Sequence, residues 1–293
     1  MKSNIITLTT DWGEKDNYAA LFKAHIYREI PDARIVDVTH NIRKHAVADA
    51  AFLVKTMYHY YPKNSIHIID VNLISMKNGS LYRNALKTKE NIHNLPFTHH
   101  LAFAYDGHYF LCPNNGIVAL FCDIDHITET IKIPLCEDYS DFNTFKAVSY
   151  FVKSATALAK GTALNTIGQA YNSEDIELLK TPVAYIPPQK ENQIICMAQY
   201  IDNYGNIITN LHKDLFESIA KGRTSFSVLC QTLNIKQKCK LLNDYNESVQ
   251  NPLALFGHHN YLELSTSYAP MGDLLKGGLM KMQFIIDFSE NNE

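Results

Sequence analysis

Three acidic residues lie close together where the first predicted strand ends and a helix begins. The segment TTDWGEKDNYAALFKA, residues 9–24, carries Asp11, Glu14 and Asp16 directly after a run of β-branched residues. Desolvating a carboxylate costs free energy, so an acid at the end of a buried strand needs a binding or capping role. Ligands of open α/β sheets bind beyond the carboxyl ends of the strands, where a carboxylate can accept both hydrogen bonds of a cis-diol. We therefore predict that Asp11 binds a ribose, whereas helix capping is the alternative and fits Asp16 better.

The next predicted strand also ends in polar residues. The segment DVTHN, residues 37–41, places Asp37 and His40 after the run ARIV. Together with Asp11 they could form a metal site, because carboxylates and imidazoles are common metal ligands. Their spacing is irregular, and turn capping explains Asp37 equally well. A metal-dependent hydrolase is therefore the lowest-ranked of our functional hypotheses.

Two compact turns are rich in asparagine and glycine. They are CPNNG, residues 112–116, and DNYGN, residues 202–206. Turn chemistry alone can explain both. An asparagine amide also carries a donor and an acceptor that match the edge of an adenine ring. In the second turn, Asp202, Tyr204 and Asn206 would offer a carboxylate, a stacking face and an amide, so we predict that they contact a ligand.

Composition excludes several classes of protein. The 293 residues carry a net charge of -3, whereas a nucleic-acid groove needs a clustered excess of Lys and Arg. The six cysteines include no C-x-x-C pair, and no G-x-G-x-x-G, P-loop, G-x-S-x-G or H-E-x-x-H motif occurs. Neither a signal peptide nor an apolar segment of membrane-spanning length is evident. We expect a cytoplasmic protein that binds a small molecule and neither nucleic acid nor membrane.

The elements that must position these residues alternate between strand and helix. The runs NIITLTT, ARIVDVT and SIHIIDV predict strands, and apolar residues at helical spacing between them predict two helices. This order indicates an α/β domain, residues 1–180, with a central, mostly parallel sheet. The polar segment from Ser75 to Phe97 shows no clear period, so we expect an irregular excursion there. A further helix is expected from Lys146 to Lys160.

The second half of the chain has a different pattern. Residues 178–193 hold two proline clusters and a polar run, which is typical of a linker. Beyond it the helical period largely disappears, and QIICMAQYIDNYGNIITNL, TSFSVLC, NYLELST and KMQFIIDF predict strands separated by turns. We therefore expect an all-β, barrel-like domain over residues 190–293.

Several of these motifs together resemble the S-adenosylmethionine hydroxide adenosyltransferases, the family that also contains the fluorinase and chlorinase. The opening ITLTTDWGEKDNYAALFKAHIYREIPDARIVDVTHNI is similar to the family pattern of T-D-F-G, D-x-Y, a helix, a proline and I-V-D-x-T-H. YYPKNSIH, FLCPNNGIV (family P-D/N-N-G) and YIDNYGNIITN (family D-x-F-G-N-x-x-T-N) follow in the same order.

The resemblance implies a fold, an assembly and a reaction. The fold is an α/β domain followed by a β-barrel-like domain, and the assembly is a homotrimer with the ligand between the N-terminal domain of one subunit and the C-terminal domain of its neighbour. In the reaction, water or hydroxide attacks C5′ of S-adenosylmethionine, and adenosine and L-methionine are released without a metal or cofactor. The sulfonium is already a good leaving group, so the protein mainly aligns and desolvates the nucleophile.

The resemblance also implies roles for single residues. Asp11 matches the acid that holds both ribose hydroxyls, and Asp202 matches the acid that holds the methionine amine. The remaining matches are, in chain order, Asp16 and Tyr18 near the methionine, His45 over the ribose, Phe145 as the aromatic of T-F-H-G, Tyr204 for stacking, Asn206 and Tyr268 near adenine, and His258 with His259 in place of a Ser-Arg pair that holds the methionine carboxylate.

The chain departs from the family at the residues that position the water. The family uses an Asp, an Arg and a His, but here the text is IIDVNLISMKNGS, and either Asp70 or Asn72 matches the acid. The arginine is lost or replaced by a residue such as Lys77, and Lys146 replaces the histidine. We predict that Lys146 and Asp70 or Asn72 form a substitute water site, with a desolvated lysine able to transfer a proton. The alternative is a protein that binds S-adenosylmethionine or adenosine without turnover.

Overall fold

The chain forms two compact units, residues Met1–Lys180 and Thr181–Glu293, in the computed structural model. The boundary lies inside the proline-rich segment at 178–193. The prediction of an α/β domain followed by a β-barrel domain is confirmed. The structure describes residues 4–72, 76–88, 95–230, 235–247, 252–265 and 282–289.

The N-terminal unit is built on a seven-stranded sheet. Its strands are β1 (Ile5–Thr10), β2 (Arg34–Thr39), β3 (Ile66–Asp70), β4 (His100–Tyr105), β5 (His108–Pro113), β6 (Glu129–Lys132) and β7 (Gln169–Ala170), in the spatial order β2-β1-β3-β5-β4-β6-β7. Its helices are α1 (Tyr18–Glu29), α2 (Val47–Met57), α3 (Met76–Thr88), α4 (Val118–Phe121) and α5 (Ala147–Lys160). β2, β1, β3 and β5 pair in parallel, whereas β4, β6 and β7 continue the sheet in antiparallel pairs.

The central strands are buried because apolar side chains cover both of their faces. Ile6 and Leu8 of β1 and Ile66 and Ile68 of β3 are fully buried, beneath helices α1 and α5 on one side. A parallel strand buried on both faces reads as a continuous apolar run, which is how these segments read in the sequence. The helix predicted from Lys146 to Lys160 is confirmed as α5, and Gly161 ends it in the left-handed conformation that favours glycine.

The expectation of an irregular segment from Ser75 to Phe97 is wrong for residues 76–88, which form helix α3. Ala85 is buried there, whereas Leu81 and Leu86 are exposed. Leucines that face solvent break the amphipathic period on which the sequence argument relied. The sequence feature that indicates this helix is the favourable helix propensity of Leu, Arg, Ala and Lys.

The C-terminal unit is a closed barrel. Its elements are β8 (Gln193–Ile201), β9 (Ile207–His212), α6 (Lys213–Ala220), β10 (Ser225–Cys230), β11 (Ile235–Leu242), β12 (Leu253–Phe256), β13 (Tyr261–Ser265) and β14 (Gln283–Asp287), in the barrel order β10-β11-β12-β13-β9-β8-β14. The sequence prediction omitted α6, β11 and β12. In β11, exposed lysines flank the buried Cys239, so the strand lacks the apolar content of its neighbours.

Among the described residues, no helix has the length and apolar character needed to cross a membrane.

A histidine pair is buried inside the sheet of the N-terminal unit. Thr7 Oγ1 lies 2.8 Å from His67 Nδ1, and His67 Nε2 lies 3.2 Å from His108 Nδ1. Both histidines are fully buried. Burial lowers the pKa of His67 to about 3, and the neighbouring His108 lowers it further in the same direction. The folded protein therefore keeps His67 neutral at pH values where an unfolded chain binds a proton.

This burial predicts acid sensitivity. Because the unfolded state takes up a proton near pH 6.5 and the folded state does not, His67 should reduce the free energy of unfolding by about 2 kcal/mol between pH 7.5 and pH 5. The variant His67→Gln should therefore show a shallower loss of stability over this range, as measured by urea unfolding at both pH values. The control His126→Gln changes an exposed histidine, and its free energy of unfolding should change with pH as that of the wild type does. Equal slopes for His67→Gln and the wild type would contradict the prediction.

Candidate active site

Two carboxyl groups meet at one edge of the parallel sheet. Thr10, the last residue of β1, pairs with Asp70, the last residue of β3. Asp11 follows directly, and its backbone amide donates to the carbonyl oxygen of Asp70 at 3.5 Å. Because parallel strands end at the same edge, two acids separated by 59 positions in the sequence become neighbours.

Asp70 is buried and held by two neutral donors. The indole Nε1 of Trp12 donates to Oδ2 at 2.8 Å, and Nδ2 of Asn72 donates to Oδ1 at 3.0 Å. Burial raises the pKa of the Asp70 carboxyl to about 6, and the negative charge of Asp11 adds to this rise, whereas the two hydrogen bonds oppose it. A carboxylate with a pKa near neutrality is suited to accept a proton in a reaction.

Asp11 is half-buried and bound to the segment before α2. Its Oδ2 accepts a hydrogen bond from the backbone amide of His45 at 3.0 Å, and its carbonyl oxygen accepts one from the ammonium of Lys44. His45 has a φ of 64°, a conformation that is unfavourable for a residue with a Cβ atom. Its Nδ1 contacts the carbonyl oxygen of Asn72. The structure thus brings His45 into contact with both Asp11 and Asn72.

An aromatic cluster covers the same edge. Trp12 packs on Phe145 with ring centroids 4.9 Å apart, and Phe145 packs on Tyr18 at 4.8 Å. On its other sides Trp12 contacts Phe22 at 5.2 Å and stacks on His40 at 5.6 Å. Of these two predicted site residues, Phe145 therefore contacts the tryptophan that binds Asp70, and Tyr18 contacts Phe145.

Asp16 lines a surface groove. Asn17, not Asp16, is the N-cap residue of α1, so the capping role considered for Asp16 is wrong. The groove has a volume of about 670 Å³ and runs between α1 and β2. Asp16 is exposed there, and Asp37, Lys23 and His40 also line the groove.

Lys146 is exposed at the first turn of α5. Within the part of the chain that the structure describes, its ammonium makes no hydrogen bond or ion pair, and so does not reach Asp70 or Asn72. The desolvation that would make this lysine a proton-transfer group is absent from the described unit. Lys146 lies instead on the side of His100, whose pKa is lowered to about 3 by burial first and by the charges of His99 and Lys146 next.

The asparagines of the CPNNG turn hold the protein's own backbone. Nδ2 of Asn115 donates to the carbonyl oxygen of Val71 at 2.8 Å, just beyond β3. Asn114 is fully buried and donates to the carbonyl oxygen of Asp175 at 3.0 Å. Both asparagine side chains therefore bind backbone groups that are distant in the sequence.

The turn at residues 202–206 in the C-terminal unit is closed by its own acid. Asp202 Oδ1 accepts from the backbone amides of Tyr204 and Asn206, at 2.9 and 2.8 Å. The side chain of Asn206 donates to Asp202 Oδ2 at 2.8 Å and to the hydroxyl of Tyr245 at 3.3 Å, and its Oδ1 accepts from Ser265. Tyr204 is 81% exposed. Its ring is thus available for stacking, whereas the amide of Asn206 is engaged within the unit.

The two adjacent histidines differ in their surroundings. His258 is exposed, whereas His259 is buried, with Nε2 at 2.9 Å from Oε1 of Glu263. Burial acts to raise the pKa of Glu263, but hydrogen bonds from His259 and Tyr245 hold it below its usual range. His259 is therefore committed to an acid of its own unit. Tyr268, the remaining predicted contact, lies outside the described residues.

The proposed metal site does not form. Asp37 binds the ammonium of Lys23 and faces Nε2 of His40 at 3.1 Å, while Nδ1 of His40 lies 2.7 Å from Thr10 Oγ1. Over the described ranges, no three His, Cys, Asp or Glu side chains are grouped so that they could hold a metal ion. The hypothesis of a metal centre at Asp11, Asp37 and His40 is therefore wrong.

Some functional candidates were missing from the sequence analysis. Trp12, Lys44, Tyr245 and Glu263 all contact predicted site residues. Trp12 had a visible signal, since it stands inside the TTDWG motif where the related pattern has phenylalanine, and it is the single tryptophan of the chain. Tyr245 and Glu263 had none, because only the barrel brings them to the 202–206 turn.

These features define a protein with an α/β unit, a β-barrel unit and a paired-acid site at the carboxyl edge of the parallel strands. The family model of the SAM hydroxide adenosyltransferase N-terminal domain matches residues 6–87 and 96–168, and that of the C-terminal domain matches residues 196–277. The chain belongs to the SAM hydroxide adenosyltransferase family, where SAM is S-adenosylmethionine.

Individual relatives agree with this assignment. An (R)-S-adenosyl-L-methionine hydrolase of Methanocaldococcus jannaschii is 28% identical over 273 residues, which cover 89% of this chain and 88% of that protein. An uncharacterized conserved protein from Thermotoga maritima shares the fold with a TM-score of 0.77 at 20% identity, over 96% of this chain and 99% of the other. A conserved hypothetical protein from Thermus thermophilus does so with a TM-score of 0.66 at 16% identity, over 98% of this chain and all of the other.

The raised pKa of Asp70 predicts a cost to stability. The folded state binds the Asp70 proton more tightly than the unfolded state, so stability falls as the pH rises from 4 to above 6. Asp70→Asn removes this loss. The free energy of unfolding of the variant, relative to that of the wild type, should therefore be about 2–3 kcal/mol higher at pH 8 than at pH 4. Urea unfolding at the two pH values measures the difference, with the exposed Asp123→Asn as control. If the stability difference between Asp70→Asn and the wild type is the same at both pH values, the raised pKa of Asp70 is refuted.

Proposed function

We propose that this protein hydrolyses S-adenosylmethionine to adenosine and L-methionine by attack of water at C5′ of the ribose. The observation that carries the proposal is the acid pair Asp11 and Asp70 at the carboxyl edge of the sheet in a chain of this family. The similarity to a named S-adenosylmethionine hydrolase, over most of both chains, supports the same reaction.

The proposed step balances as a substitution. The water oxygen forms a bond to C5′, and the C5′–S bond breaks with its electron pair moving to the sulfonium, which leaves as the neutral thioether of methionine. Asp70 accepts the water proton, for which its raised pKa is suitable. Asp11 binds the ribose diol through both carboxylate oxygens. Its Oδ1 has no hydrogen-bond partner among the described residues, and its Oδ2 also accepts from the backbone amide of His45. In this proposal Asn72 orients Asp70, and Lys146 takes no part in proton transfer.

The remaining contacts follow from the family likeness and the local geometry. In the proposed site, the aromatic pair of Tyr18 and Phe145 shields C5′ from bulk solvent, and His45, bound to Asp11 through its amide, lies over the ribose. In the C-terminal unit, the exposed ring of Tyr204 stacks on the adenine, next to the turn that Asp202 closes. The methionine end of the substrate carries both charges of an amino acid, for which Asp16 and the exposed His258 are the candidate partners.

We further propose a homotrimer located in the cytoplasm that needs no metal or cofactor. Six free cysteines support a reducing compartment. Light scattering should give three times the chain mass of 33.3 kDa, and EDTA should leave the rate unchanged. A monomer would refute the trimer, and loss of activity in EDTA would refute metal independence.

The reaction predicts specific products. Purified, ligand-free protein incubated with S-adenosylmethionine should release adenosine and methionine in equal amounts, as measured by chromatography. Asp11→Asn should lower kcat/KM about 100-fold, because it loses the charge-assisted hydrogen bonds to the diol. Asp123→Asn, which changes an acid on the exposed surface, should leave kcat/KM unchanged.

The same experiment addresses the alternative of a binding protein. A thermal shift with adenosine, combined with no product above background, would establish binding without turnover and reject hydrolysis. The observed acid pair favours hydrolysis, because simple binding does not require a second, buried carboxyl group behind Asp11.

A further inference from the structure

The carboxyl group of Asp70 has a donor on each oxygen, and both donors are uncharged. Trp12 Nε1 binds Oδ2 and Asn72 Nδ2 binds Oδ1. Two donors at different oxygens fix the rotation of the carboxyl plane, because turning it would break both hydrogen bonds. Among the described residues, no Lys, Arg or His forms an ion pair with Asp70.

The indole of Trp12 is itself immobilised. Phe22, His40 and Phe145 contact the ring on three sides, with centroid distances of 5.2, 5.6 and 4.9 Å. The side chain is buried. A packed indole of this kind cannot turn its N–H away from Asp70 without displacing its neighbours.

We propose that Trp12 is a positioning residue that orients the Asp70 carboxylate for the water molecule and does so without neutralising its charge. This inference rests on the proposed function and deepens it, because it assigns a role in the reaction to a residue that does not touch the substrate. It also accounts for the departure of this chain from the related pattern, where phenylalanine stands in place of Trp12 and cannot donate a hydrogen bond.

The neutral character of the donor matters for the chemistry. A cation beside a carboxylate stabilises its charged form strongly and makes it a poor proton acceptor. The hydrogen bonds of Trp12 and Asn72 only partly offset burial, so the pKa of Asp70 stays at about 6. The Asp70 carboxylate is therefore held in one orientation and still accepts a proton readily.

Other titratable groups lie close to Trp12 and Asp70, and their effects must be distinguished from that of Asp70. Asp11, directly after β1, lies beside Asp70, and Cys112 on β5 interacts with the charge of Asp70. His40 stacks on the opposite side of the indole and faces Asp37. Before α2, Lys44 contacts the Asp11 carbonyl oxygen and His45 contacts the Asn72 carbonyl oxygen. A substitution at Trp12 leaves all of these groups in place.

The variant Trp12→Phe keeps an aromatic ring in the cluster, removes the N–H donor and leaves a smaller ring in contact with Phe22, His40 and Phe145. Its kcat should fall about 10-fold, while KM for S-adenosylmethionine should stay within about two-fold of the wild type. Because the lost hydrogen bond had lowered the pKa of Asp70, the acidic limb of the kcat–pH profile should move up by about one pH unit.

A matched packing variant separates positioning from stability. Phe22→Leu disturbs the opposite side of the same indole without touching a hydrogen bond. It should lower the unfolding temperature but leave the acidic limb at the wild-type pH. The inference is overturned if Trp12→Phe has the kcat and the acidic limb of the wild type. It is also overturned if Phe22→Leu shifts the acidic limb of the kcat–pH profile as far as Trp12→Phe does.

A second measurement needs no substrate. Trp12 is the only tryptophan, so emission excited selectively at tryptophan reports the surroundings of this one side chain. The emission of the wild type should change with a midpoint near pH 6, and Asp70→Asn should abolish that change. A transition that persists in Asp70→Asn does not come from the Asp70 carboxyl and rejects the inference. If the wild type produces no adenosine, the proposed function fails, and this titration still decides whether Trp12 senses the ionisation of Asp70.

Discussion

The parallel pairing of β1 with β3 is the constraint on which the site depends. It ends both strands at one edge, so that the residues after Thr10 and at Asp70 must share a small volume. One carboxyl group stays half-buried and the other is buried, so the two are not equivalent. Burial, together with the negative charge of Asp11, raises the pKa of the Asp70 carboxyl to about 6, which is the range that suits the proton acceptor proposed here.

The strand ends are useful only because their surroundings hold them in place. Trp12 and Asn72 fix one carboxyl group, while the amide of His45 and the ammonium of Lys44 fix the residue carrying the other. In the C-terminal unit the same principle acts on a turn, where Asp202 closes the chain around the exposed ring of Tyr204. In both units, hydrogen bonds within the unit determine the geometry of the residues that we propose as ligand contacts.

Periodicity predicted most of the fold, because the strands and α5 bury apolar residues at regular intervals. It failed where the elements lack an apolar face, as in α3 with its exposed leucines and in β11 with its lysines. Motifs placed Asp11, Asp70 and His45 in one candidate site, and the structure brings them together. The exposure of Lys146, the pairing of His259 with Glu263 and the internal bonds of Asn206 depend on contacts distant in sequence, which no local pattern encodes.

The left-handed backbone of His45 has an evolutionary consequence. The group that grips Asp11 here is the main-chain amide, which every residue except proline possesses, so the anchor survives any other exchange of this side chain. Substitution to glycine or asparagine would even relieve conformational strain of about 1 kcal/mol. Replacing the imidazole would therefore give up its contact with the Asn72 carbonyl oxygen but keep the main-chain hydrogen bond that fixes the Asp11 carboxylate.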